Sequence, residues 1–524
     1  MTRAGVGPRA HKKRQLAAAR QQGASGLKVI ILLKPKLLTV LTLALSVMVG
    51  AQTAKPSFEA VQPELLAAGG SFVNAFADAD RDGDLDLFVG FNGEPNRLYR
   101  NDRGTLVDIA RTLGIADARA TRAAAWGDFD ADGDPDLLVG FAPGAGSVLR
   151  LYRNDRERFA DVTSSAMVAV AAGAVRQPSW IDVDGDGDLD LFVAFRDRAN
   201  AMYRNDAGRF TDIAGELGLA DTRRTVGAVW FDYDEDGDLD LYAGNMDGDA
   251  NGLFRNDSGR FTDVADLAGV AWGGRAPKDP ANGTVRPCAA DVNGDGSFDL
   301  FTANYGPLGL FLNGKGVFRD VSSDWQIAID SRYDACAFSD IDHDGRLDVY
   351  VNGTVTGGVS YPDHVFRNTG TRFEDVTPDN VRALQADHGV QWADFDRDGD
   401  EDLALTGSRP DGMHSLLRNL LPAASARQAL QVRVVDGRGR ATLAGAEVRI
   451  YQPGTRTLLG ARLVDTGSGY DAQNEMPVHF GVAGHSRVDV EVIYPTGKAR
   501  KPVRQTGVRI SGGRFEVLTI QVGR

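Results

Sequence analysis

One nine-residue pattern, repeated seven times, decides what this chain can fold into. It reads DADRDGDLD from Asp78, DFDADGDPD from Asp128, DVDGDGDLD from Asp182, DYDEDGDLD from Asp232, DVNGDGSFD from Asp291, DIDHDGRLD from Asp340 and DFDRDGDED from Asp394. Successive copies start 49 to 59 residues apart, a period that belongs to propellers and solenoids. Carboxylates crowded on so short a loop repel one another, and burying them without a counter-charge is prohibitive, so each loop asks for a cation.

Each copy sits in one context. An apolar run precedes it, with an aromatic two residues ahead (Phe76, Trp126, Trp180, Trp230, Phe338 and Trp392; Ala289 is the exception), and a β-rich run such as LDLFVGF follows. Alternation and aromatic content make both runs strands, so the acidic loop is the turn of a hairpin. A third run ends each time on an asparagine (Asn101, Asn154, Asn205, Asn256, Asn313, Asn368, Asn419), read as a turn residue. A fourth run, typified by FTDV at Phe261, completes a four-stranded propeller blade. The seventh loop lacks that fourth run. FEAVQPELL from Phe58 lines up with FTDIAGELGL from Phe210, so the N-terminal strand is expected to close the ring by completing the last blade.

Within each loop, side-chain oxygens at positions 1, 3, 5 and 9, with Gly at 6, can wrap one hard cation. Calcium takes six to eight oxygens at flexible geometry and is preferred over magnesium, up to seven ions in all. The ligand positions are Asp78, Asp80, Asp82 and Asp86; Asp128, Asp130, Asp132 and Asp136; Asp182, Asp184, Asp186 and Asp190; Asp232, Asp234, Asp236 and Asp240; Asp291, Asn293, Asp295 and Asp299; Asp340, Asp342, Asp344 and Asp348; Asp394, Asp396, Asp398 and Asp402. The competing explanation is that the aspartates only make side-chain-to-backbone turns without metal. An EF-hand is excluded because position 12 is apolar or Thr in every copy, Val89 and Thr302 among them.

These hairpins, with their YRN and FxDV strands, resemble FG-GAP/VCBS repeats, the calcium-loop propellers also seen in integrin heads, over about residues 57 to 420. The resemblance implies calcium at the four carboxylate positions, helped by the backbone carbonyl at position 7: Asp84, Asp134, Asp188, Asp238, Ser297, Arg346 and Asp400. Asn293 removes a charge from the fifth loop, whose site is expected to be weakest. Behind the repeats, strands at short spacing suggest a small β-sandwich, and GSGYDAQNEMPVHFGVAGHSRVDVEVIYPTG from Gly467 resembles the ASPIC/UnbV domain of the cartilage acidic protein family. The expected fold is all-β: a seven-bladed calcium-loop β-propeller over 52–424 and a β-sandwich over 425–524. VDTGSG at Val464 matches the Asp-Thr-Gly of aspartic proteases, but a single copy inside the ASPIC/UnbV match makes that a poor second reading.

Residues 1–51 carry nine Lys or Arg and no acid, with an apolar run from Leu37 to Val49, and read as a signal peptide or N-terminal anchor. The remainder has 49 basic against 72 acidic side chains, which argues against nucleic acid as a partner. No membrane span is expected beyond the signal segment. Cys288 and Cys336 are the only cysteines and are expected to pair between neighbouring blades. His343 is read as a solvated loop residue, His479 as a strand residue at a domain surface, and no catalytic motif is found.

The function expected is therefore an exported binding or adhesion module for a glycan or another cell-surface component. The alternatives are a polysaccharide-active enzyme such as a lyase, with its site built from propeller loops, and a structural spacer. The longest variable loops lie opposite the acidic loops, and Trp272, Tyr361 and His364 are the expected ligand contacts.

Overall fold

The computed structural model describes residues 55–523 apart from 145, 385, 411, 483, 496–499 and 511–516. Residues 1–51, expected to be a signal peptide or anchor, lie outside the described residues.

The first acidic loop joins Ser71–Ala77 to Asp86–Phe91, and Arg97–Asp102 and Thr105–Asp108 extend the same antiparallel sheet. Five further sets repeat this four-strand order in sequence. The seventh set takes Val390–Ala393, Asp402–Leu405 and Ser415–Asn419, then Phe58–Ala60 as its outer strand, with Phe58 opposite Asn419 and Ala60 opposite Leu417. The inner strands touch their neighbours in a circle, and Ser71–Ala77 meets Val390–Ala393 to complete it. The architecture is all-β and propeller-like, with the N-terminal strand closing the last sheet. Among the described residues, no helix is long and apolar enough to cross a membrane.

Apolar side chains fill the space between sheets. Trp126, Trp180 and Trp392 are buried, and each indole N–H donates to an inner-strand carbonyl of the preceding sheet, at Ala75, Ala125 and Ala337. Cys288 and Cys336, on the inner strands Gly283–Ala290 and Asp330–Ser339, are joined by a disulfide.

The asparagines do more than turn the chain. All seven are buried, and the amide of Asn101 donates both to Leu85 O of its own loop and to Phe395 O of the neighbouring loop, at 3.1 and 2.6 Å. Asn154, Asn205, Asn313 and Asn368 make the same pair of bonds, own loop and neighbour. Each is a stitch between sheets, so Asn419 reaching Ile341 O continues the pattern into the sheet that the N-terminal strand completes.

Residues after 428 form two sheets. One orders Val478–Gly481, Ala429–Asp436 and Leu518–Val522; the other orders Leu458–Leu463, Glu447–Tyr451, Arg487–Pro495 and Arg500–Arg509. Val432, Ile450, Phe480 and Val490 share one apolar core between them. This part sits on the acidic-loop side of the ring. A segment from it, Ala472–Gln473, enters the ring and pairs in parallel with the inner strand Thr121–Gly127.

Candidate functional site

Backbone geometry shapes the acidic loop first. The residue at position 4 has φ between 57° and 76°, and the glycine at position 6 between 90° and 107°, in all seven copies. Two left-handed residues in so short a stretch fold the chain around its own centre, and the second is strained for anything but glycine.

The carboxylates then divide their oxygens. In loop two, Asp128 Oδ2 accepts from Gly133 N at 3.0 Å and Asp132 Oδ1 from Asp134 N at 2.9 Å, while Asp128 Oδ1 and Asp130 Oδ1 are buried without a partner. Asp234, Asp342, Asp394 and Asp396 each keep one buried, unpartnered oxygen as well. The turn bonds expected of a metal-free loop are therefore present, but they leave oxygens over. Ligand atoms of Asp78, Asp80 and Asp82, of Asp128, Asp130 and Asp136, of Asp182, Asp184 and Asp190, of Asp232, Asp234 and Asp240, and of Asp340, Asp342 and Asp344 each lie within 4.8 Å of one another. Several of these clusters can hold a metal ion, and the all-oxygen donor set suits a hard cation.

Position 9 has a second role that the sequence concealed. Asp86 Oδ1 accepts from Asn101 N and its Oδ2 from Ala79 N, tying the loop to the third strand, and the same two bonds recur at Asp136 and Asp190. Burial raises the Asp86 and Asp190 carboxyls to about 8 and Asp136 to about 9, with neighbouring carboxylates adding to the effect and the backbone donors opposing it. Position 7 side chains mostly link loops. Asp134 meets Arg81 of the previous loop at 3.3 Å, Asp84 meets Arg397 at 3.4 Å, and Ser297 Oγ donates to Glu235. Arg346 Nε donates to Asn368 O, Asp238 accepts from Ser258 N, and Asp400 keeps both oxygens unpartnered. In loop five, Asn293 Nδ2 donates to Asp295 Oδ2 at 2.9 Å, occupying an oxygen that a cation would use.

Arginines of the C-terminal sheets face these loops. Arg449 donates to Gly296 O at 2.8 Å, Arg440 to Gly187 O at 3.0 Å, and Arg500 lies 3.4 Å from both Asp232 and Glu235. His343 is not solvated as expected: it is buried, its Nδ1 3.0 Å from Ser425 O, and burial holds it at about 4. His479 is a buried strand residue with Nε2 donating to Gly399 O, at the surface between the two parts.

Residues 465–475 make the Asp-Thr-Gly stretch a plug. The inner strands present an unpaired edge to the central channel, and orphaned backbone groups there are costly. Thr466 Oγ1 accepts from Trp230 N and donates to Trp230 O; Gln473 does the same for Trp180, and Asn474 Oδ1 accepts from Phe76 N. These side chains imitate a missing strand. Asp465 serves the turn itself, accepting from Gly467 N, Asn474 N and Ser468 Oγ. The protease reading fails because both oxygens of this aspartate are consumed in holding the turn.

Of the expected ligand contacts, His364 is overturned. It lies buried in a strand, 2.9 Å from Asp375, stacked on Phe366 and packed against Tyr333, which leaves the ring little surface for a ligand. Trp272 is half-buried under Arg275, and Tyr361 is half-exposed.

Residues 78–139, 182–243, 232–301 and 291–351 match the FG-GAP-like repeat family, and residues 437–506 match ASPIC and UnbV. The chain is 28% identical to cartilage acidic protein 1 of Xenopus tropicalis over 86% of this chain and 75% of the relative. It is also 28% identical to that of Homo sapiens, over 86% and 73%. A solved structure addressing recognition of non-reducing terminal N-acetylglucosamine by an Agrocybe aegerita lectin aligns at 19% identity and TM-score 0.38, over 60% of this chain and 81% of that one. The chain is thus built of FG-GAP-like repeats followed by an ASPIC and UnbV domain, and is related to the cartilage acidic proteins.

Proposed function

We propose that this chain is an exported binding or adhesion module whose propeller is held together by calcium, without catalytic activity of its own. The observation that carries the reading is the repeated set of buried carboxylate oxygens without partners at positions 1 and 3 of the loops. The remaining ligands are the carboxylates at positions 5 and 9 and the backbone at position 7, with loop five the weakest site. Export is supported by the basic-then-apolar segment within residues 1–51 and by the Cys288–Cys336 disulfide, which persists in oxidising compartments. The partner is a glycan or a cell-surface protein, and the variable loops around Trp272 and Tyr361 remain a candidate docking surface. The histidines available for proton transfer are largely committed to packing: His343, His364, His414 and His479 each hold a fixed hydrogen bond or ion pair.

Thermal melting in calcium, in magnesium and in EDTA tests the reading. Calcium should raise the melting temperature well above the chelated value and magnesium should do so less. Equal melting in all three solutions sinks it.

A further inference from the structure

The end of the channel away from the acidic loops carries a second feature of the repeat. Six inner strands skip one or two residues in their pairing register near their start, at Phe72, Arg122, Arg176 with Gln177, Val226, Val285 and Asp334. His388, at φ 68°, takes the corresponding place before the seventh inner strand. Bulged residues leave the ladder and re-aim their side chains, and bulges gather beside binding and active sites.

These side chains converge on the tip of the plug. The Arg122 guanidinium lies 4.0 Å over the Phe72 ring, Phe72 packs 4.6 Å from His388, and His388 packs 4.5 Å from Tyr470. His388 Nδ1 is 3.4 Å from Asp334, and Arg176 is 3.9 Å from Asp471. Asp471 and Asp334 are 1% and 2% exposed, yet both oxygens of Asp471 and Oδ2 of Asp334 have no hydrogen-bond partner. Nε of Arg176, at 3.9 Å from Asp471, and two nitrogens of Arg286 likewise lack a hydrogen bond. Orphans of both kinds in one buried place are expensive, and a guest that supplies both complements removes the cost. The acids need hydroxyl donors. The guanidiniums need an anionic acceptor, and a planar carboxylate matches their fork.

We propose that this channel mouth binds a small hydroxylated carboxylate, its carboxylate held by Arg122 and Arg176 and its hydroxyls by Asp471 and Asp334. Arg176 and His388, each 14% exposed in the side chain, set the entrance. The site deepens the binding-module reading and rests on it.

Isothermal titration of the calcium-loaded protein with glucuronate and galacturonate, with glycolate, and with acetate and galactose as controls tests the site. A uronate or glycolate should bind, with acetate and galactose at least tenfold weaker. Binding of uronates alone assigns a sugar acid; binding of glycolate as well assigns free hydroxy acids. Arg122→Gln should weaken binding at least tenfold, and Arg122→Lys, which keeps the charge but loses the planar fork, should weaken it less. Absence of binding by every acid, controls binding as well as the hydroxy acids, or full affinity in whichever variant folds overturns the proposal. Calcium-dependent melting alongside any of these leaves the binding-module reading standing and overturns the site, whereas acid binding without calcium-dependent melting overturns the calcium part of that reading and leaves the site.

Discussion

The two ends of the central channel treat leftover polar groups in opposite ways. At the acidic-loop end, Trp180 and Trp230 would expose backbone to the channel, and the plug's Gln473 and Thr466 supply both donor and acceptor to each. At the far end Asp471 and Asp334 keep oxygens that no hydrogen bond satisfies, with Arg176 and His388 near them only at ion-pair distances of 3.9 and 3.4 Å. The first arrangement is what stability alone demands, since satisfied groups rigidify a core and orphans weaken it. The second costs stability, so the two ends should respond differently to perturbation.

Chelation should have the largest effect. A site filled at 100 times its Kd adds about 2.7 kcal/mol, and several such sites act on one ring. Calorimetry with and without EDTA measures it, and a loss no larger than one site's worth would confine metal to a single loop. Deleting residues 57–66 comes next. It removes the outer strand of the seventh sheet together with the buried Phe58, Val61 and Leu66, each worth about 1.5–3 kcal/mol, and opens the ring. Chemical denaturation should show the loss together with new self-association at the freed edge.

Gln473→Ala tests the satisfied end directly. It leaves the N–H and C=O of Trp180 unpaired and should cost about 1–3 kcal/mol. Arg122→Gln at the other end should cost the cation–π contact over Phe72, about 0.5–1 kcal/mol, while abolishing acid binding. If the two substitutions cost the same, the contrast between the ends is false.

The pH dependence of the chelated protein sharpens the same point. Burial raises the folded pKa of Asp86, Asp136, Asp190 and Asp299 to about 8 or 9, above the ordinary carboxyl range of the unfolded chain. Their protonated forms stabilise the metal-free fold, and that stability is lost as pH rises through 8 to 9. Chelated protein should therefore melt higher at pH 7 than at pH 9, whereas calcium-loaded protein, whose ligands must be ionised, should not. The window stays above the range where His343, His414 and His479, held near 4, destabilise the fold on acidification.

Much of this was legible because the blade repeats. Period, loop chemistry and the displaced FEAVQPELL segment predicted the sheets, and Phe58 does pair with Asn419. The asparagines were visible in every copy, but a stitch to the neighbouring loop is a contact across about 75 residues, as between Asn154 and Ala79, and spacing does not reveal it. The plug was hidden for a different reason. Thr466, Gln473 and Asn474 act as substitutes for a strand through their side chains, so no strand pattern marks them, and neither the ASPIC/UnbV resemblance nor the Asp-Thr-Gly motif told what they do. His343 looked solvated because its loop is polar; it is buried by residues contributed from beyond 420.

The closure by Phe58–Ala60 and the plug at 465–475 also set a timetable for synthesis. The strand Phe58–Ala60, first among the described residues, has no partner until Ser415–Asn419 follows it, more than 350 residues later. The inner edges at Phe76, Trp180 and Trp230 wait longer still. A chain emerging vectorially therefore carries open strand edges for most of its translation, the condition under which chains aggregate or recruit chaperones. Such a protein gains most from being kept unfolded until its last hundred residues are available.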